Sequence, residues 1–127
     1  MMDTNKFNKG KLYINDECID IGNLIWHEHP DFKGVFLKHL IIGKNTKNCL
    51  SCHLVKINPN CGIGIHKHKG KTELHEIISG NGYCMIEQNK FDYQKGIIGF
   101  IPADKNHSVK SGDNGLLLLA KFFPALL

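Results

Sequence analysis

Apolar and polar residues alternate in short runs along most of the chain, and no stretch sustains the three- and four-residue spacing of an amphipathic helix. The alternation predicts ten strands: Lys11 to Asn15, Ile19 to Trp26, Val35 to Ile42, Cys49 to Ile57, Gly64 to His68, Glu73 to Ser79, Tyr83 to Gln88, Ile97 to Ile101, His107 to Lys110 and Leu116 to Phe123. Turn signals lie between them, in GKNTKN, NPNCG, SGNG, QKG and SGDNG. Many short strands at near-regular spacing imply an all-β sandwich or barrel. No internal repeat or low-complexity tract breaks the pattern, so residues 1–127 read as one domain. Only the first ten, MMDTNKFNKG, are polar and Asn/Lys-rich and are expected to be poorly ordered.

One stretch carries more chemistry than a strand needs. In HKHKGKTELHEIISG, His66 and His68 stand two apart, which puts them on one face of a strand and would separate them on a helix. Glu73, His75 and Ile77 form a second alternating set, with Leu74, Glu76 and Ile78 on the opposite side. Two strands joined by the loop from Lys69 to Thr72 would bring imidazoles and a carboxylate together. Neutral nitrogen donors with one anionic oxygen suit a divalent transition metal. Alternation favours Glu73 over Glu76 as that carboxylate. His75 reads as a residue supporting the ligands, a proton shuttle or a hydrogen-bonded core histidine, and it is the candidate catalytic residue. A further HxH, in WHEHP at residues 26–30, has no carboxylate or third histidine at ligand spacing and is assigned no metal.

Composition narrows the partners. The 127 residues are 42% hydrophobic and 22% charged, with a net charge of +4, which is ordinary for a soluble globular protein. All sixteen basic residues are Lys. Without a guanidinium fork, bidentate reading of phosphate or guanine is not available, so nucleic acid is excluded as a partner. The start has no apolar signal-peptide core, and the closing LLLLAKFFPALL is interrupted by Lys121 and Pro124, so no membrane association is expected. Five cysteines without a secretory signal point to reduced thiols and a cytoplasmic location. Cys49 and Cys52 make a CxxC, but its flanks read as a strand, which sends residues three apart to opposite faces; packing cysteines are the expectation.

A second polar marker follows in GIIGFIPADKNH, where Pro102 ends a strand and His107 begins the next. Here the chain resembles the cupins, small jelly-roll β-barrels. Their first motif, G(X)5HXH(X)3-4E(X)6G, is met by His66, His68, Glu73 and Gly80, with Asn60 in the place of the leading glycine. Their second, G(X)5PXG(X)2H(X)3N, is met by Gly96, Pro102 and His107, with Asp104 for the inner glycine and Ser111 for the final Asn. The motifs span residues 60–111. The resemblance implies an all-β cupin jelly-roll barrel and one divalent transition metal ion (Fe, Mn, Ni or Zn) held by His66, His68, Glu73 and His107. It also implies a homodimer joined through the N-terminal segments KLYI and IGNLIW. The function it implies is a metal-dependent enzyme acting on a small oxygen-bearing molecule, of dioxygenase, isomerase or decarboxylase type; the alternative is a non-catalytic metal-dependent binding or sensing module. Alternation adds Ile77, Ile97 and Ile101 as inward apolar residues around the ligand.

Overall fold

The computed structural model describes residues 5–127. Of the ten residues expected to be poorly ordered, 1–4 lie outside the described residues, and Asn5–Asn8 form a single helical turn, α1. The hairpin β1 (Lys11–Ile14) and β2 (Glu17–Asp20) stands as a two-stranded sheet of its own, closed by Asn15 in a left-handed conformation (φ 54°). The strand expected to run from Ile19 to Trp26 stops at Asp20, because the chain turns through a 3-10 segment at Ile21–Asn23. That turn drives Ile21 into the core.

The remaining strands are β3 (His27–Glu28), β4 (Val35–Ile41), β5 (Ser51–Ile57), β6 (Gly62–His66), β7 (Thr72–Ile86), β8 (Asn89–Gln94), β9 (Ile98–Ile101) and β10 (His107–Phe123). They pair antiparallel in the order β3-β4-β5-β10-β7-β8, with β6 added to β10 and β9 to β7. The alternation does not predict β8; it pairs back on β7 through a tight turn in which Glu87 is left-handed (φ 54°).

Two strands organise everything else. The sequence predicts a break at SGNG and another at SGDNG, yet β7 and β10 each run on through them. Glycine is the reason. Gly80 (φ +89°) and Gly115 (φ +71°) face each other so closely that a Cβ on Gly80 would lie 2.0 Å from the Gly115 carbonyl oxygen. The register shifts between Ser111 and Leu116 at the same place. The first half of β7 pairs with β9 and the last half of β10, while the second half of β7 pairs with β8 and the first half of β10. Each strand therefore serves two walls.

The closed interior packs Val35, Val55, Ile57, Ile77, Tyr93 and Leu118 among others. A second cluster lies on the outer face, where Cys52, Leu54, Leu117 and Leu119 are covered by Ile21, Leu12 and Trp26. Lys38 pins this N-terminal cover in place. Its buried amine donates to the Ile21 carbonyl (3.0 Å) and to Asn8 Oδ1 (2.6 Å), and it sits 4.8 Å over the Trp26 ring. The outward-facing Cys52 is buried there, whereas Cys49 is exposed ahead of β5; the five thiols are free. Among the described residues no helix is long and apolar enough to cross a membrane.

Replacing Gly80 by Ala should force the two long strands apart and cost on the order of 2–4 kcal/mol. Gly70 also has a positive φ (+69°), but a Cβ placed there would meet nothing within 4 Å, so Gly70→Ala should cost only about 1 kcal/mol. Urea unfolding midpoints of the two variants check the ranking, and equal losses would contradict the account.

Candidate metal centre

His66 closes β6, His107 opens β10, and Glu73 is the second residue of β7. His68 does not end a strand, as the alternation predicts, but sits two residues beyond β6 in the loop that leads to β7. All four side chains nevertheless converge, with one nitrogen or carboxylate oxygen from each lying within 4.8 Å of the others. The loop is held by Asp104, whose Oδ1 accepts from the Gly70 amide at 3.0 Å.

The departures from the two motifs have a backbone explanation. Asn60 (φ 59°) and Asp104 (φ 67°), which stand where glycine is expected, are both left-handed. Asn and Asp are the side chains that tolerate this region best, so the turns survive the replacements. Ser111, in the place of the Asn, puts its hydroxyl 2.5 Å from the Asn58 carbonyl and 3.0 Å from that of Cys61, tying β10 to the turn before β6.

The hydrogen bonds behind the cluster decide which nitrogens face it. His66 Nδ1 donates to the Gly64 carbonyl (2.7 Å) and His107 Nδ1 to that of Lys105 (2.9 Å), so both rings present Nε2 to the centre. His107 Nε2 is 3.0 Å from Glu73 Oε1, and His68 Nε2 is 3.8 Å from the same oxygen. Burial holds His66 and His68 below the ordinary imidazole range, which keeps them as neutral donors. Burial is the largest single influence on His107 and pulls it down, but its hydrogen bonds to Glu73 and to the Lys105 carbonyl, with the Glu73 charge, together outweigh this and leave its pKa raised. Burial alone would push the Glu73 carboxyl up; the His75 ring and the hydrogen bonds from His107 and His75 prevail and hold it well below the carboxylate range. A carboxylate facing imidazoles whose other nitrogens already donate needs a cation between them. A proton serves without metal, and the donor set of three nitrogens and one oxygen fits a divalent transition ion.

His75 is 3% exposed and has both nitrogens engaged: Nε2 lies 2.5 Å from Glu73 Oε2, and Nδ1 lies 2.8 Å from the Tyr93 hydroxyl. Glu76, on the opposite face, pairs with Lys121 instead. Ile77 and Ile101 are buried as expected, but Ile97 is not an inward residue. It is 36% exposed, in the turn before β9, where its amide donates to the Gln94 carbonyl. The strand begins one residue later than the alternation suggests, which leaves Ile97 outside it in the preceding turn. Phe122 and Phe32 flank the centre, with ring centroids 5.0 Å from His68 and 6.4 Å from His66.

Sequence reasoning does not find Tyr93, whose run FDYQ lies outside every predicted strand, or a second histidine pair beside Phe122. His53 Nδ1 lies 2.8 Å from His39 Nδ1, its Nε2 lies 2.9 Å from Ser51 Oγ, and the Leu126 amide donates to that same Oγ. The run SCHLVKI reads as a strand whose interior positions include His53, and that alternation is the one available signal.

No family model matches the chain. An uncharacterized protein of Methanocaldococcus jannaschii is 26% identical over 120 residues, which cover 94% of this chain and 84% of that protein. The oxalate-binding protein of Thermotoga maritima is 27% identical over 60 residues, 47% of this chain and 50% of that protein; the match thus spans half of that relative. Among solved structures, a predicted oxalate decarboxylase of Thermotoga maritima superposes with a TM-score of 0.77 at 20% identity, over 89% of this chain and 99% of that one. An RmlC-like cupin of Shewanella frigidimarina superposes with a TM-score of 0.72 at 15% identity, over 83% and 87%. The chain folds as a cupin. Within this cupin barrel, the histidine and glutamate cluster lies where the two walls carried by β7 and β10 meet.

Burial lowers the His53 pKa from the ordinary 6.5 to about 4. The folded state then binds fewer protons than the unfolded one between these values, so stability is present above pH 6.5 and is lost as pH falls toward 4. The full effect is about 3 kcal/mol as an upper figure. In the metal-free protein, thermal melts of the cupin should fall less between pH 7 and 4.5 in His53→Gln than in the wild type; parallel curves would refute this.

Proposed function

We propose that this cupin is a metal-dependent enzyme acting on a small oxygen-bearing molecule, with His66, His68, Glu73 and His107 as ligands of one Fe, Mn, Ni or Zn ion. The observation that carries the reading is the convergence of three imidazole nitrogens and a carboxylate oxygen within 4.8 Å, with His66 and His107 each held by a backbone carbonyl so that Nε2 points inward. When bound, the ion supplies Lewis-acid or oxygen-activating chemistry. The chain's own groups orient and exclude: Phe32 and Phe122 narrow the approach, Ile77 and Ile101 keep the interior apolar, and no Arg is present to recruit a phosphate. A small carboxylate or hydroxy acid able to chelate the ion is the ligand class, and the oxalate-binding relative supports oxalate as the first probe.

A second reading, a binding module without turnover, is favoured by one feature: both nitrogens of His75 are committed to hydrogen bonds, so this candidate proton carrier has none to spare. Metal analysis after loading should find one ion per chain. His66→Ala and His107→Ala should each weaken binding by more than the roughly 10–100-fold that loss of a supporting residue costs. Calorimetry should show oxalate binding only to the loaded wild type, and release of carbon dioxide separates enzyme from binder. Loading below stoichiometry with every one of the four metals would sink both readings.

The homodimer remains part of the proposal. Tyr13 and Ile25, 77% and 72% exposed, leave apolar surface on the two N-terminal segments, and among the described residues the β1–β2 hairpin has no strand partner in the large sheet. Light scattering at micromolar concentration should give twice the chain mass; a monomer there would refute it. The five free thiols suit a reducing compartment, which supports a cytoplasmic location.

A further inference from the structure

Glu73 has two carboxylate oxygens, and they are treated differently. Oε1 faces His107 and His68, while Oε2 is 2.5 Å from His75 Nε2. A carboxylate only accepts, so His75 Nε2 carries the proton of that bond. In the neutral ring Nδ1 is then an acceptor, and the Tyr93 hydroxyl at 2.8 Å donates to it. Tyr93 is 2% exposed, and the fold makes room for its hydroxyl at one place. Gly99, the β9 residue paired with His75, has no side chain, and a Cβ there would lie 2.1 Å from the Tyr93 oxygen. Cys84, fully buried, is a neighbour of the same hydroxyl.

We propose that Tyr93 and His75 are a positioning pair that fixes Glu73 by Oε2, so that Glu73 offers a metal ion one oxygen and not two. This rests on the reading of Glu73 as a ligand. A carboxylate released from His75 could turn to present both oxygens, which would use up a coordination position otherwise open to a ligand. Tyr93 acts through His75, and His75 through Glu73; neither touches the ion.

Two measurements test it. In metal-free protein with nitrogen-15 histidine, NMR should find the proton of the neutral form of the His75 ring on Nε2, and Tyr93→Phe should abolish that fixed tautomer. A ring protonated on Nδ1 in the wild type overturns the proposal whether or not metal binds. In Co(II)-loaded protein, Tyr93→Phe should still take up one ion per chain, with affinity reduced roughly 10-fold. Its visible absorption should weaken as the coordination number rises. His75→Gln keeps an N–H for Oε2 without needing a hydroxyl behind it, so adding Tyr93→Phe to that variant should change neither spectrum nor affinity. A merely structural role for Tyr93 would lower the melting temperature and leave the cobalt spectrum as in the wild type, and that result overturns the proposal. Failure of the wild type to bind Co(II) counts against the ligand assignment alone, because the tautomer is read without metal.

Discussion

The close passage of two backbones at Gly80 and Gly115 is the constraint on which the rest of this structure depends. Glu73 pairs across the ladder with Phe122, and His107 stands fifteen residues before Phe122 on the same strand. A straight strand would carry those fifteen residues over roughly 50 Å. Instead His107 Nε2 lies 3.0 Å from Glu73 Oε1. Only a chain that folds back on itself can do this, and the bend is possible because neither glycine carries a side chain where the strands cross. The centre is therefore a product of curvature: Glu73 comes from one wall, and His66 and His107 from the other.

Once the walls meet, the buried carboxylate dictates its surroundings. Glu73 is 5% exposed, and a carboxylate taken out of water costs several kcal/mol unless it is fully hydrogen-bonded or paired. Its neighbours meet that demand from two directions, with His75 on Oε2 and His107 on Oε1. The supporting bonds continue outward to Tyr93 on one side and to the Lys105 carbonyl on the other. Order at the centre is thus set by residues two bonds removed from it, which is why Gly99 and Cys84 belong to the same arrangement as the histidines.

How much of this was legible in the sequence follows from the range of each interaction. The alternation of Glu73, His75 and Ile77 against Leu74, Glu76 and Ile78 is local, and the structure keeps it without exception. The left-handed turns at Asn60 and Asp104 were visible only as departures from a motif; their residue types already permitted the φ values they adopt. The continuity of β7 and β10 was not legible, because SGNG and SGDNG look like turns unless the facing glycine is known. Tyr93 and His53 were missed for the same reason. Beyond the alternation that turns His53 inward, their neighbourhoods give no signal, and the partners Tyr93–His75 and His53–His39 stand 18 and 14 residues apart along the chain. Ile97 failed by one residue at a strand end, where boundaries are least determined by pattern.

Charge decides what such a centre can hold. Glu73 is ionised, and burial keeps His66 and His68 neutral, so a divalent ion bound there would carry the positive charge that a ligand meets. Lys71 adds a further positive charge that reaches His68. Lys67 and Lys69 are exposed, and the Lys71 amine donates to the Ala125 carbonyl at 2.8 Å. With no Arg in the chain, no guanidinium fork is available to pair an anion beside the ion. A compact chelator that brings its charged oxygens to that one point is then well matched. A polyphosphate, whose charges extend over several ångströms into a mouth flanked by Phe32 and Phe122, would lose water around oxygens that find no partner. For the proposed metal centre, a preference for small oxygen ligands would follow from the missing guanidinium forks as much as from the histidines.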